Sequence, residues 1–280
     1  MIVNRKPPVE IKAPSVVIID GANLNMIVNS KSINVANIIN YIIFLYKKYR
    51  PQKMVIVFEG NNSLKRRRKV YSEYKKNTGN MYNVKKLDIL RNLPIHFLNF
   101  ANLESDDVIS ILVGNHFEEY KKIIVSSDKD YYQLLEDDIL IYDPIQKQEF
   151  NQTWFKDTYG FNPPNFLYYK ALIGDKSDNI SGVYGFGKEK FNKHFSKYFD
   201  EDWDDEFVYE KIKDYIDSSK FQELLYVIKQ PNVSLYSLNE LNGIDGELKR
   251  ELGFDYMQII KECGISIKRE ELLKLISLGK

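Results

Sequence analysis

The chain has 280 residues, 44% of them apolar, which suffices for a sizeable core and excludes a wholly disordered chain. No apolar run approaches the eighteen or so residues that span a bilayer, and the single cysteine, Cys263, excludes a disulfide framework and cysteine-based zinc sites. Forty basic and 39 acidic side chains leave a net charge of +1, too small to mark a nucleic-acid binder by itself. The three histidines, His96, His116 and His194, form no metal pair at helical spacing. The first fifteen residues hold Pro7, Pro8 and Pro14 without an apolar block, so no secretory leader is expected and a reducing cytoplasm is the expected compartment.

In chain order, Val16-Val17-Ile18-Ile19 runs into Asp20, and Met54-Val55-Ile56-Val57-Phe58 runs into Glu59. Ile123-Ile124-Val125 leads through two serines to Asp128. Continuous β-branched runs of this kind predict strands buried on both faces, as in parallel sheets. Between the first two, Ile38, Ile39, Ile42, Ile43 and Leu45 have helical spacing over Val35–Tyr49. A second helix is expected over 104–117, with Val108, Ile111 and Leu112 on its buried face. Strands alternating with helices imply βαβ units and an open parallel sheet. After Asn151 the texture changes to aromatic-rich helical stretches, a glycine-rich turn over 174–187, polar helical sequence to about Gln230 and a helical tail over 247–278.

Charge is segregated along the chain. Residues 64–91 carry ten basic side chains against Glu73 and Asp88, whereas 200–217 carry nine acids against Lys211 and Lys213. One face is thus expected to meet a polyanion, with another turned away from it.

In an open parallel sheet, ligands bind outside the carboxyl ends of the strands. Three strands here end at carboxylates there. The acids near these turns are Asp20, Glu59, Glu104, Asp106, Asp107, Asp128, Asp130, Asp175 and Asp178. Two carboxylates about 4 Å apart repel by roughly 4 kcal/mol at an effective dielectric near 20, so such a cleft needs cations. Oxygen-only donors select Mg²⁺ or Mn²⁺, and two such ions can activate water and stabilise the leaving oxygen of a phosphodiester. The carboxylates beside a basic stretch therefore point to metal-dependent phosphodiester hydrolysis.

The motifs are, in order, Asp-Gly-Ala-Asn from Asp20, Phe-Glu-Gly from Phe58, Tyr-Lys-Lys-Asn from Tyr74 and Glu-Ser-Asp-Asp from Glu104. Ser-Asp-Lys-Asp from Ser127, Gly-Asp-Lys-Ser-Asp-Asn-Ile from Gly174 and Gly-Val-Tyr-Gly-Phe-Gly-Lys from Gly182 complete the set. In this order and spacing the chain resembles the flap endonuclease/5′ nuclease superfamily, notably the free-standing bacteriophage enzymes and the 5′ nuclease domain of bacterial DNA polymerase I.

The resemblance implies an α/β, PIN-like fold: an open, mostly parallel sheet with flanking helices, a helical arch and a helix–three-turn–helix. It implies an N-terminal extension (1–15), a catalytic domain (16–150) with the arch at about 64–93, a helical duplex-binding region (151–235) with the helix–three-turn–helix at about 174–198, and a C-terminal helical segment (236–280). It assigns Asp20, Glu59, Glu104 and Asp106 to a first metal ion. Asp128, Asp130, Asp175 and Asp178 go to a second, with Asp106 or Asp107 between. Lys75 and the upstream Arg67 are the implied catalytic cations, and 76–93 the arch that passes a 5′ single strand. Gly185 and Gly187 can bring backbone N–H groups to phosphate at a helix N-terminus, with Lys188, Lys190 and Lys193 alongside and Lys76 at the arch. Relatives hold K⁺ on backbone carbonyls there.

Three positions depart from the family pattern. Glu59 stands where aspartate is usual, Thr78 where arginine is common, and Ser105 replaces a small apolar residue with no expected consequence. The expected activity is 5′-3′ exonuclease and flap endonuclease action by a monomer on DNA with a 5′ single-stranded arm, RNA–DNA hybrid being a further substrate. The alternatives are a single-strand ribonuclease of the PIN class and a non-catalytic junction-binding protein.

Overall fold

The computed structural model describes residues 13–21, 23–24, 35–76, 89–230, 238–255, 257–259, 270 and 273–275. Six strands form one sheet: β1 (Ser15–Asp20), β2 (Lys53–Phe58), β3 (His96–Asn99), β4 (Lys121–Val125), β5 (Ile139–Asp143) and β6 (Gln148–Phe150). Their order is β3-β2-β1-β4-β5-β6, parallel throughout except for the antiparallel β5–β6 pair. The chain steps outward from β1 to β2 and β3, then crosses back to β4 on the other side of β1. The carboxyl ends of β1 and β4 therefore flank the switch point of the sheet, where a crevice opens.

The β-branched runs explain why these strands sit in the middle. Val16, Val17, Ile18 and Ile19 are all fully buried, which requires cover on both faces. Val17, Ile19, Ile56 and Phe58 pack under helix α1 (Val35–Tyr49) through Ile38, Ile39 and Ile42. On the other face, Val16, Ile18, Val55 and Ile124 pack with Val108, Ile111 and Leu112 of α3 (Ser105–Asn115), which follows the short α2 (Lys65–Val70).

This second core does not stop at β6. It continues through α4 (Gln152–Tyr159), α5 (Phe166–Ile173), α6 (Lys188–Phe195), α7 (Asp205–Ile212) and α8 (Ser218–Ile228), so the helical half shares a core with the sheet. Aromatic rings join the two halves. Phe150 meets Trp154 at 4.2 Å between centroids, and Tyr132 meets Trp154 at 5.4 Å and Phe166 at 5.6 Å. Many of the acids of 200–217 hold helix ends or side chains: Asp204 and Asp217 cap α7 and α8, and Asp205 accepts from the Tyr168 hydroxyl at 2.9 Å.

Helix α9 (Leu238–Lys249) returns to the β3 edge, with Ile244 buried and the Glu247 carbonyl 3.2 Å from His96 Nδ1. Of the tail expected over 247–278, helix runs to Lys249, 251–255 are irregular with Asp255 N donating to Asn92 O at 3.0 Å, and 257–259 are helical again. Most of the arch (77–88), including Thr78, lies outside the described residues, as does most of 256–280. Among the described residues no helix is long and apolar enough to cross a membrane.

Phe191 is fully buried where the rings of Phe161, Tyr169 and Phe195 meet. Phe191→Ala should cost about 3–5 kcal/mol, read as a lower urea midpoint. A loss below about 1 kcal/mol would show that this aromatic junction does not hold the helical half together.

Candidate metal centre

The crevice at the switch point is built from strand ends. Asp20 closes β1, buried; its Oδ2 accepts from Asn23 Nδ2 at 2.8 Å and Ser126 Oγ at 2.9 Å. Glu59 follows β2 and is held by its backbone: Asn99 Nδ2 donates to Glu59 O at 2.6 Å, and Gly60 N to Leu103 O at 3.0 Å. Only glycine fits at position 60, since a Cβ there would lie 1.6 Å from the Phe100 carbonyl oxygen. Glu104 precedes α3, and Asp106 and Asp107 occupy its first turn, all three buried. One oxygen from each of these three lies within 4.8 Å of the others.

The arginine run 66–68 supplies much of the surrounding order. Successive residues on a helix point about 100° apart, so three arginines reach three targets. Arg66 pairs with Glu240 of α9 at 2.5 Å. Arg67, 1% exposed, holds both oxygens of Asp107 at 2.5 Å, reaches Glu104 Oε2 through Nη1, and donates from Nε to Val227 O at 3.0 Å. Arg68 donates to the carbonyls of Tyr74 at 3.0 Å and Lys75 at 2.7 Å. Arg67 is thus an internal anchor with every nitrogen engaged, whereas the resemblance implies a catalytic cation.

Lys75 adopts a left-handed backbone (φ 46°), gripped by Arg68 on its carbonyl and by Asp178 O, which accepts from its N–H at 2.9 Å. Its Nζ lies 2.8 Å from Glu104 Oε1, 3.8 Å from Asp106 Oδ2 and 4.0 Å from Asp178 Oδ1. Burial alone would lower the Lys75 pKa, but Glu104 foremost among its neighbours raises it well above the ordinary value. It is therefore a permanent cation near neutral pH. For Glu104, burial works upward, and Lys75 and Arg67 outweigh it, bringing the carboxyl down to about 2.

The other acids come from β4 and from the turn after α5. Asp128 caps the short 3₁₀ helix Lys129–Leu134, its side chain accepting from Asp130 N, and is exposed. Asp130 is buried against Lys170, whose Nζ also lies 2.5 Å from Asp175 Oδ2. Asp175 and Asp178 sit on a loop closed by paired bonds between residues 175 and 180. Gly182 makes that closure possible: its φ of 70° suits glycine, and a Cβ would lie 2.6 Å from Gly174 N. Burial foremost raises the Asp178 pKa, with Asp128 and Asp175 adding to it. The nine acids named from the sequence are thus linked through shared cations, hydroxyls and mutual repulsion.

Four contributors escaped the sequence reading. Lys170 had a signal, a lone lysine in the apolar helix FLYYKALI. Tyr131, whose hydroxyl is 3.3 Å from Asp20 Oδ2, and Gln230, whose Nε2 donates to Asp106 Oδ2 at 3.0 Å, had none. Ser105 was expected to be inconsequential, yet its hydroxyl lies 3.2 Å from Asp20 Oδ1 and 3.3 Å from Glu59 Oε1.

The donor set fits a hard divalent cation. Glu59 Oε2 is buried without a hydrogen-bond donor among the described residues, and burial, followed by Glu104, pushes the Glu59 pKa up to about 7. A buried acceptor left so costs about 1–3 kcal/mol, which a bound cation would offset.

At the glycine turn, Lys188 and Lys193 are exposed at either end of α6, and Gly185 has φ 68°. Gly187 is the N-cap of α6. Lys190 instead lies over the Tyr215 ring at 4.4 Å, and Lys76 pairs with Glu73 at 2.9 Å. Tyr184, at the tip, is 98% exposed.

A mostly parallel sheet with an all-oxygen acidic centre at its switch point defines the class of protein. Residues 17–160, just over half of the chain, match the family described as 5′-3′ exonuclease, N-terminal resolvase-like domain, and the chain belongs to that family. It is 33% identical over 161 residues to a 5′-3′ exonuclease of Aquifex aeolicus, covering 55% of each chain. It is 37% identical over 97 residues to the thermostable DNA polymerase I of Thermus aquaticus, covering 34% of this chain and 12% of the polymerase. The chain spans about half the length of the exonucleases it matches. The T5 5′-exonuclease with bound divalent metal ions (zinc) shares the fold, with a TM-score of 0.66 at 18% identity over 84% of this chain and 98% of that one.

The Glu59 pKa makes a signed prediction. A carboxyl whose folded value (about 7) exceeds its unfolded value (4.5) gives stability that is complete below 4.5 and lost as pH rises through 7. In EDTA, Glu59→Gln should match the parent near pH 4 and melt higher at pH 8, by up to about 3 kcal/mol of stability. An equal offset at both pH values would contradict the assignment.

Proposed function

We propose that this chain is a structure-specific 5′ nuclease, with 5′-3′ exonuclease and flap endonuclease activity on DNA bearing a 5′ single-stranded arm. RNA–DNA hybrid is a further substrate. The observation that carries this reading is the acid network at the switch point, with the orphaned Glu59 oxygen and a permanently charged Lys75 at its edge. Family membership supports it.

Asp20, Glu59, Glu104 and Asp106 hold one divalent ion, Mg²⁺ or Mn²⁺, and Asp128, Asp130, Asp175 and Asp178 a second. Asp107 belongs chiefly to Arg67, which fixes the cluster from within. Bound ions supply Lewis acidity toward the phosphate and lower the pKa of water. Lys75 places a cation beside the reacting phosphate, stabilising charge without moving a proton. Water oxygen forms the new bond to phosphorus, the bond to the 3′ oxygen breaks, and the products carry a 5′-phosphate and a 3′-hydroxyl.

Residues 16–150 serve as the catalytic unit and 151–235 as the duplex grip, with 236–280 as a C-terminal support. Gly185, Gly187, Lys188 and Lys193 contact the phosphate backbone, with Lys190 and Lys76 as further cations able to leave their present partners. K⁺ at the turn, a monomeric state and a cytoplasmic setting complete this reading.

Cleavage of a 5′-labelled flap with Mg²⁺, abolished by excess EDTA, tests the activity; full cleavage in EDTA would overturn it. Roles separate in two variants. Lys75→Ala should reduce the single-turnover rate at least a hundredfold with little change in flap affinity. Lys188→Ala should weaken binding to all sequences alike and flatten the salt dependence by about one unit of slope. The same loss in both, confined to binding, would show that the two lysines do not differ in role.

A further inference from the structure

We propose that Gln230 is a positioning residue for the metal centre, its amide fixing the Asp106 carboxylate from the carboxyl end of α8. This deepens the reading above and rests on it.

The last carbonyls of a helix lack intrahelical partners, and a buried helix end must find others. At the end of α8 those partners come from the catalytic half. Val227 O accepts from Arg67 Nε at 3.0 Å, and Ile228 O accepts from Gln133 Nε2 at 3.1 Å. Two residues on, Gln230 is buried, and its Nε2 donates to Asp106 Oδ2 at 3.0 Å. The end of one helix thus touches three segments of the site: α2, the start of α3 and the turn after β4.

The amide has one sensible orientation. With a cation bound Asp106 is an ionised carboxylate, which only accepts, so in that state Nε2 must face Asp106 and Oε1 must face a donor. Ser110, fully buried one turn along α3, supplies it at 3.2 Å from Oε1. The same hydroxyl lies 2.7 Å from the Asp106 carbonyl, so its single proton is shared between that carbonyl and Gln230 Oε1, which ties it to the residue being positioned. Asp107 N donates to Asp106 Oδ1 at 2.8 Å, so Gln230 completes the constraint on the carboxylate plane. A carboxylate held at both oxygens presents its remaining lone pairs in one direction, which a rigid-geometry ion such as Mg²⁺ requires. Gln230 also lines a cavity of about 450 Å³ with Ser110, Gln133 and Lys122.

The test is Mn²⁺ binding by the full chain, read from the paramagnetic signal of free Mn²⁺, beside thermal melting in EDTA and flap affinity in EDTA. Gln230→Met keeps length and removes the donor. It should bind Mn²⁺ about tenfold more weakly, as loss of an outer-shell partner does, with melting and flap affinity near those of the parent. Ser110→Ala should act in the same direction by a smaller factor. Parental Mn²⁺ affinity in Gln230→Met overturns the inference; if that variant fails to fold, parental affinity in Ser110→Ala overturns it. A parent chain that binds no Mn²⁺ overturns the metal-centre reading and this inference together. Mn²⁺ binding without nuclease activity overturns only the proposed reaction.

Discussion

Carboxylates gathered at the carboxyl edge of β1, β2 and β4 repel one another, and burial of side chains such as Glu104 and Asp106 strengthens the repulsion. The chain answers with cations of its own placed between the acids. Arg67 joins Glu104 to Asp107, Lys75 stands among Glu104, Asp106 and Asp178, and Lys170 bridges Asp130 and Asp175. These internal cations do not reach every oxygen. Glu59 is left with a buried, unpartnered oxygen and a raised pKa, and that residual imbalance gives the crevice its appetite for an external cation.

The same demand explains why the helical half is built onto the sheet. Lys170 comes from α5, Asp175 and Asp178 from the turn that follows it, and the carbonyl that takes Arg67 from the end of α8. Each lies beyond the 17–160 segment that matches the family. A site whose charge balance draws on both halves needs them held in register, and the shared core and aromatic junction do that. The backbone of Lys75 carries the coupling further, its N–H bonded to Asp178 O.

Buried salt bridges are poor sources of net stability, because desolvation consumes most of the attraction. Their value here is geometric. Arg67 holds Asp107 with two nitrogens, and a planar fork of this kind fixes direction as well as distance. Fixing Asp107 fixes the first turn of α3, and with it Glu104 and Asp106.

What the sequence by itself determined was local. Apolar β-branched runs marked β1, β2 and β4, because burial on both faces leaves a continuous signal, and the acids at their ends marked the edge where a ligand would bind. Shorter strands such as β3 and β6 left no such run. Tertiary structure alone decided which charges meet. Gln230 lies 124 positions from Asp106 and Arg67 160 from Val227, and no periodicity links residues so far apart. The resemblance marked Arg67 as a catalytic cation within a basic run, and the turn of a short helix directs it inward onto Glu104 and Asp107 while its neighbours face elsewhere. Ser105 looked neutral until the crossing of α3 over β1 and β2 set its hydroxyl between two carboxylates. Residue type determines what a group can do; in this protein the path of the backbone decides which partner it does it with, because Coulomb and hydrogen-bond energies depend on distances that only the folded chain defines.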